Sequence, residues 1–306
     1  MTDGFPVNDP LYVTQQAYLE AINVPGAWKR LTSTKMIRKK VTVALIDTGV
    51  KPDHPNLVSN LAEGYNVIDK NDDTHDRAGH GTSMAGILGA TINNTKGIAG
   101  VMDLVNIIPI FASKSPTDQN LTAALDYVIR QREGRDIKFI LMAHSDDQIA
   151  PYLVGKIVEA DQAGILMIVT TGNMRENITT EKRYPCALTQ DFDGVLCVGA
   201  TEESRMRLAG SSNFASYLDI AAPGVGIMTT GNYVRYQIRK GTSAASAIVA
   251  GVAAMLYSVA PNLSPGGIKK ILKDTSTKGL KDSTGKTTLP FGRVDADKAV
   301  AKLIER

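Results

Sequence analysis

Val41-Thr42-Val43-Ala44-Leu45-Ile46-Asp47-Thr48-Gly49 carries one polar residue in its first six and then closes on a carboxylate, a hydroxyl and a glycine. A strand wetted on one face alternates apolar with polar, whereas a near-continuous apolar run belongs to a strand covered on both faces. Runs of the same kind recur at 107–111, 139–142, 166–170, 195–200 and 218–221. Helical stretches stand between and after them at 83–90, 121–133, 153–163, 243–258 and 264–275. Strands alternating with helices predict a three-layer α/β/α arrangement around a central, mostly parallel sheet. No repeat, low-complexity tract or linker interrupts the pattern, so residues 1–306 read as a single domain. Residues 1–35 read as an extended lead-in with one short helical segment, 15–31, broken at Pro25-Gly26.

Composition narrows the function classes. With 306 residues, 43% of them apolar and 21% charged, the chain is long enough to bury a large core. Its 34 Lys and Arg against 31 Asp and Glu are spread without a basic arm or a basic-aromatic stripe, which argues against nucleic acid as a partner. No apolar run approaches the roughly 20 residues that cross a bilayer. No charged-apolar-small leader opens the chain, so a signal peptide is expected to be absent or already removed. Cys186 and Cys197 leave two readings open: buried thiols acting as small hydrophobes, or a disulfide that implies an oxidising compartment. Asn93, Asn120, Asn177 and Asn262 each begin an Asn-x-Ser/Thr triplet, a weak sign of secretion.

Three segments carry chemistry. Asp47 sits at the carboxyl end of the first strand, where functional groups of open α/β sheets gather. His80 lies between glycines in Gly79-His80-Gly81-Thr82-Ser83. Ser243 lies in Arg239-Lys240-Gly241-Thr242-Ser243-Ala244-Ala245-Ser246, at the threshold of a helix of small residues. Taken singly, these are a turn-forming aspartate, a loop histidine and a helix-capping serine. Together they are an orienting carboxylate, a base near neutral pH and a hydroxyl that needs such a base to become a nucleophile. The helix start adds backbone N–H groups facing a developing oxyanion. Asn173, after the strand and turn 166–172, offers a side-chain amide to the same oxyanion. The chain reads as a serine hydrolase, and as a peptidase among these.

In this order and at these distances the segments resemble the catalytic domain of the subtilisin-like serine proteases. Further landmarks fit: His54-Pro55-Asn56-Leu57, Thr170-Thr171-Gly172-Asn173, Tyr184-Pro185, Val198-Gly199-Ala200 and Ala221-Ala222-Pro223-Gly224. The resemblance covers nearly the whole chain. It implies a subtilisin-like fold and endopeptide hydrolysis through an acyl-enzyme. Asp47 then orients, His80 serves as base and acid, Ser243 attacks, and Asn173 holds the oxyanion. It also implies a polypeptide substrate, an inhibitory pro-segment in the precursor but absent from this chain, a monomer, and a secreted or secretory-pathway location. The family's calcium loop maps onto the side chains of Asp9, Asn56 and Asn94 and the carbonyls of Ile92, Lys96 and Ile98, oxygen donors of the type calcium prefers.

The departures from the family pattern concern substrate. Where the family has a Ser-Leu-Gly-like segment, this chain has Ala143-His144-Ser145-Asp146-Asp147, a polar wall without the glycine that lets a backbone approach. With Gly172 and Arg183 these residues are the expected substrate-binding set. Arg183 has two readings: a surface cation, or a partner for Asp or Glu before the cleaved bond. The altered wall keeps open a non-catalytic binding module, and water access keeps open acyl transfer, as in peptide ligation or cyclisation.

Overall fold

A computed structural model of the chain describes residues 7–12 and 16–305. Strands β1 (Val41–Asp47), β2 (Tyr65–Asn66), β3 (Val105–Phe111), β4 (Ile137–Met142), β5 (Leu166–Thr170), β6 (Val195–Thr201) and β7 (Ile220–Pro223) form one sheet in the order β2-β3-β1-β4-β5-β6-β7. Every neighbouring pair is parallel. β1 lies between β3 and β4, so chain progression reverses about it, and a crevice opens at its carboxyl end.

The period of two along β1 divides the core. Val43 and Leu45 face one apolar cluster, while Ala44 and Ile46 face the other. The first cluster takes in helices α2 (Val24–Ser33), α3 (His80–Gly89), α6 (Thr242–Val259), α7 (Pro265–Thr275) and α8 (Ala296–Ile304). The second takes in α4 (Asp118–Gln131) and α5 (Pro151–Gln162). In α4 the buried positions Leu121, Ala124, Leu125 and Val128 follow the helical spacing, and Thr117 with Asn120 forms a capping box. Ser264 caps α7 ahead of Pro265, and Asp295 caps α8 through the Lys298 N–H.

Three expectations need correction. Within the lead-in, the helical segment is present as α1 (Ala17–Glu20) and α2, with Trp28 and Leu31 buried. Pro25 does not break the helix; it occupies the first turn of α2, where its missing N–H costs nothing. The expected helical start, Gln15, lies outside the described residues. The helix expected from Ser83 begins at His80 instead, because the buried Asp76 carboxylate accepts the first N–H groups and supports an earlier turn. The last parallel strand is shifted two residues, to Ile220–Pro223. A hairpin, β8 (Ile227–Thr230) with β9 (Tyr236–Arg239), carries no such apolar run and is seen only in the fold.

α6 is an 18-residue helix buried at every position except Ser243. It is the one helix among the described residues long and apolar enough to cross a membrane, and it is enclosed by the protein.

Candidate active site

Asp47 ends β1 at the crevice, and His80 begins α3 opposite it. His80 Nδ1 lies 2.8 Å from both Asp47 carboxylate oxygens. The Asp47 side chain is 4% exposed and that of His80 36%, so the pair is shielded on the carboxylate side and open on the imidazole side. Asp47 Oδ1 also accepts the Thr48 N–H at 2.7 Å. A carboxylate can only accept, so Nδ1 must carry the proton, and Nε2 is left with its lone pair. The Asp47 charge raises the affinity of His80 for a second proton, burial opposes it, and the hydrogen bond adds to it. Arg239 opposes and Asp76 assists, and the net result lies above the ordinary histidine range.

Asp76 was not singled out by sequence, yet it builds the loop that delivers His80. Its Oδ1 accepts from Ala78 N at 2.9 Å, Gly79 N at 2.6 Å and Thr48 Oγ1 at 2.9 Å. Its Oδ2 accepts from Thr82 N at 2.9 Å and Thr82 Oγ1 at 2.6 Å. Thr48 Oγ1 in turn accepts the Gly81 N–H at 2.9 Å, so the turn after Asp47 and the first turn of α3 share one network. The available signal was an acid ahead of a helix start.

Ser243 sits in the first turn of α6. The helix has no side-chain cap of its own from Gly241. Asn173, in the turn after β5, supplies one from a distance: its Oδ1 accepts Thr242 N at 2.9 Å and Thr242 Oγ1 at 3.2 Å. The atom facing an N–H must be the acceptor oxygen, so Nδ2 points elsewhere as a free donor. Gly241 has φ 117°, and a Cβ there would stand 3.0 Å from Asn173 Oδ1, so the turn needs glycine. Gly172 has φ 95°, with Ser145 Oγ 2.9 Å from where its Cβ would be. Among the described residues Ser243 Oγ makes no hydrogen bond, and His80 and Ser243 are not joined by one. Such contacts often close only in the substrate complex.

The expected substrate wall is partly assembled. Ala143 and His144 line a cleft of about 370 Å³ together with Asp47, His80, Lys114 and Arg239. Burial keeps His144 below the ordinary histidine range. Ser145 Oγ donates to Thr171 O at 3.2 Å, beside Gly172. Asp146 and Tyr184 exchange backbone hydrogen bonds of 2.9 and 2.8 Å. Arg183 lies apart from the first cleft, in a cavity of about 760 Å³ lined also by Asp147, Glu176 and Tyr184. Glu176 Oε2 accepts from Arg183 Nη2 at 2.8 Å and from Nε at 3.1 Å. An incoming acidic side chain would have to displace Glu176, so the geometry does not favour acid selection by Arg183.

In the loop expected to bind calcium, Asp9 accepts N–H groups from Asn93 at 2.9 Å and Asn94 at 3.2 Å. Asn94 Oδ1 accepts Lys96 N at 3.0 Å. Asn56 Oδ1 accepts Ile98 N at 3.0 Å and the Tyr236 hydroxyl at 3.3 Å, while its Nδ2 donates to Thr91 O at 3.0 Å. Both lone pairs of that oxygen are used, so Asn56 does not fit as a calcium ligand in this arrangement. Among the described residues no group of three or more His, Cys, Asp or Glu could hold a metal ion. Of the two open readings for the cysteines, Cys186 and Cys197 form a disulfide, with Cα atoms 4.9 Å apart.

The chain is similar to known proteins over most of its length. The model of the subtilase family matches residues 38–292. The thermophilic serine proteinase of Bacillus sp. (strain AK1) is 32% identical over 84% of this chain and 61% of its own length. Thermitase of Thermoactinomyces vulgaris is 28% identical over 96% of this chain and 98% of its own. A solved protease from Pseudoalteromonas arctica PAMC 21717 superposes with a TM-score of 0.81 at 25% identity, covering 97% of this chain and 99% of its own.

Proposed function

The chain belongs to the subtilase family, and from that premise we propose how its own residues carry the chemistry. It is a serine-type endopeptidase, a hydrolase that cuts internal peptide bonds through an acyl-enzyme. His80 Nε2 takes the Ser243 proton as Oγ attacks the scissile carbonyl carbon. Asp47 keeps the imidazole in the tautomer that allows this and stabilises the imidazolium that results. The oxyanion is met by Asn173 Nδ2 and by the Ser243 backbone N–H at the start of α6. His80 then gives its proton to the departing amine, and a water activated by the same nitrogen hydrolyses the ester. Ala143, His144, Ser145 and Gly172 border the path of the substrate.

The observation that carries this assignment is the His80 Nδ1 to Asp47 contact of 2.8 Å, which leaves Nε2 free on the open side of the pair. The test is labelling with a serine-directed phosphonate, with the Ser243→Ala variant alongside. Labelling at Ser243 and a loss of turnover on the order of 10⁶-fold in the variant are expected. A variant that still cleaves peptides would overturn the assignment, and product masses that show ligation instead of hydrolysis would overturn the reaction type.

Secretion belongs to the same proposal. The Cys186–Cys197 disulfide supports it, because such bonds persist in oxidising compartments. One relative is named an extracellular serine protease and another a major intracellular serine protease, so relatives occupy both locations. A precursor with an inhibitory pro-segment and a monomeric mature enzyme complete the proposal. A structural calcium ion held by Asp9, Asn94 and the carbonyls of Ile92, Lys96 and Ile98 rests on the family resemblance. Melting with calcium and with a chelator tests it: at a concentration of 100 Kd the ion adds about 2.7 kcal/mol, and identical melting curves would remove it from the proposal.

A further inference from the structure

Arg239 is the last residue of β9 and lies four positions before Ser243. Its Nη2 donates to Gly79 O at 2.9 Å, the carbonyl immediately before His80. Its Nε donates to Ser83 Oγ at 3.0 Å, one turn into α3. Gln237, two residues earlier on the same strand, donates to the same Ser83 oxygen at 3.0 Å. On the other strand of the hairpin, Thr229 and Thr230 hydroxyls donate to the Ser83 and Thr82 carbonyls, each at 2.6 Å. The hairpin that leads into the nucleophile turn is therefore stitched to the first turn of the histidine helix. Among the described residues Arg239 enters no ion pair, and it borders the same cleft as Asp47 and His80.

We propose that Arg239 is a positioning residue for the peptidase reaction: it ties the first turn of α3 to the strand running into Ser243, and it sets a fixed cation beside the imidazole. The inference rests on the reading of His80 as the base. The charged and titratable groups facing His80 are Asp47 from β1, Asp76 from the loop before α3 and Arg239 from β9, with Lys114 and His144 lining the shared cleft. The two carboxylates favour the imidazolium. Arg239 opposes them, so less of the enzyme is trapped with its base already protonated. A guanidinium suits this place because it stays charged at every working pH and presents several donors in a fixed plane.

The experiment compares Arg239→Gln, which removes the charge, with Arg239→Lys, which keeps the charge but not the planar fork. Rates are normalised to phosphonate-titratable Ser243, so partial misfolding does not enter. In Arg239→Gln the acid limb of the kcat/KM profile is expected to move up by roughly half a pH unit, the scale for a nearby charge in a partly wet site. In Arg239→Lys the limb is expected to stay in place. Both variants are expected to lose about tenfold in kcat with KM little changed, the cost of a loosened reacting geometry. An unmoved limb in Arg239→Gln, or equal movement in both variants, overturns the charge role. Full kcat in Arg239→Lys overturns the tie, even if Arg239→Gln fails to fold. Either result with Ser243 still labelled sinks only this inference, whereas activity surviving in Ser243→Ala sinks the assignment beneath it.

Discussion

α3 and α6 are built alike and supported differently. Each is a helix of small residues packed against the sheet, each follows a glycine of positive φ, and each presents its reactive side chain in the first turn without a cap from the preceding residue. At α3 the missing cap comes from nearby in sequence: Asp76 bonds Ala78, Gly79 and Thr82. At α6 it comes from Asn173, 69 residues from the N–H it accepts. His80 is held by a local knot, and the first turn carrying Ser243 by a contact that exists only once β5 and α6 stand side by side. The two ends of the chemistry should therefore fail in different ways.

Four substitutions sharpen that contrast. Asp76→Ala leaves a set of buried donors facing nothing and removes an ion from a closed network. A loss of about 3–5 kcal/mol in unfolding free energy is expected, read by chemical denaturation, with activity falling alongside. A variant with wild-type stability would show that the knot does not hold the base end. Asn173→Asp keeps an acceptor oxygen toward Thr242 but removes the donor proposed for the oxyanion. Its kcat should fall by about 10²–10³ while its melting temperature barely moves. Asn173→Ala should lose the same rate and in addition about 1 kcal/mol of stability from the cap. Equal melting of the Asp and Ala variants would separate the cap from Asn173. Gly241→Ala has the smallest expected effect on rate, a modest drop in kcat as Asn173 is pushed aside, with about 1–3 kcal/mol lost in melting for a side chain forced to positive φ.

The parallel sheet and the helices around it were legible because strands buried on both faces announce themselves as apolar runs: β1, β3, β4, β5 and β6 lie within a residue or two of where the pattern puts them. The hairpin β8–β9 was not. Its buried Thr229 and Thr230 satisfy their hydroxyls on α3 carbonyls, and a polar residue that finds its partner in another element looks like a loop residue in sequence. α8 was missed for a similar reason: its apolar face packs beside α2, and Asn23 Nδ2 reaches the capping residue Asp295 at 3.0 Å from the far end of the chain. Asp47, His80, Ser243 and Asn173 could be named because each sits in a turn whose residue types are restricted. Asp76 and Arg239 could not. Much of their work goes through backbone carbonyls and amides, and the one cue for Asp76, an acid ahead of a helix start, does not reveal which groups it holds. Arg183 shows the converse: its position left open a surface cation or a partner for an acidic substrate side chain, and Glu176 takes its charge.

One helix decides how this molecule wears out. Seventeen of the eighteen residues of α6 are out of reach of water, and the eighteenth is the reactive alcohol. Backbone protons along that helix can exchange with solvent only when the fold opens as a whole, so their exchange rate reads global stability. Fraying at the termini, or a nick in an outer loop, leaves the alcohol seated where it was. Peptidase activity should persist through such damage and then vanish in a single cooperative step.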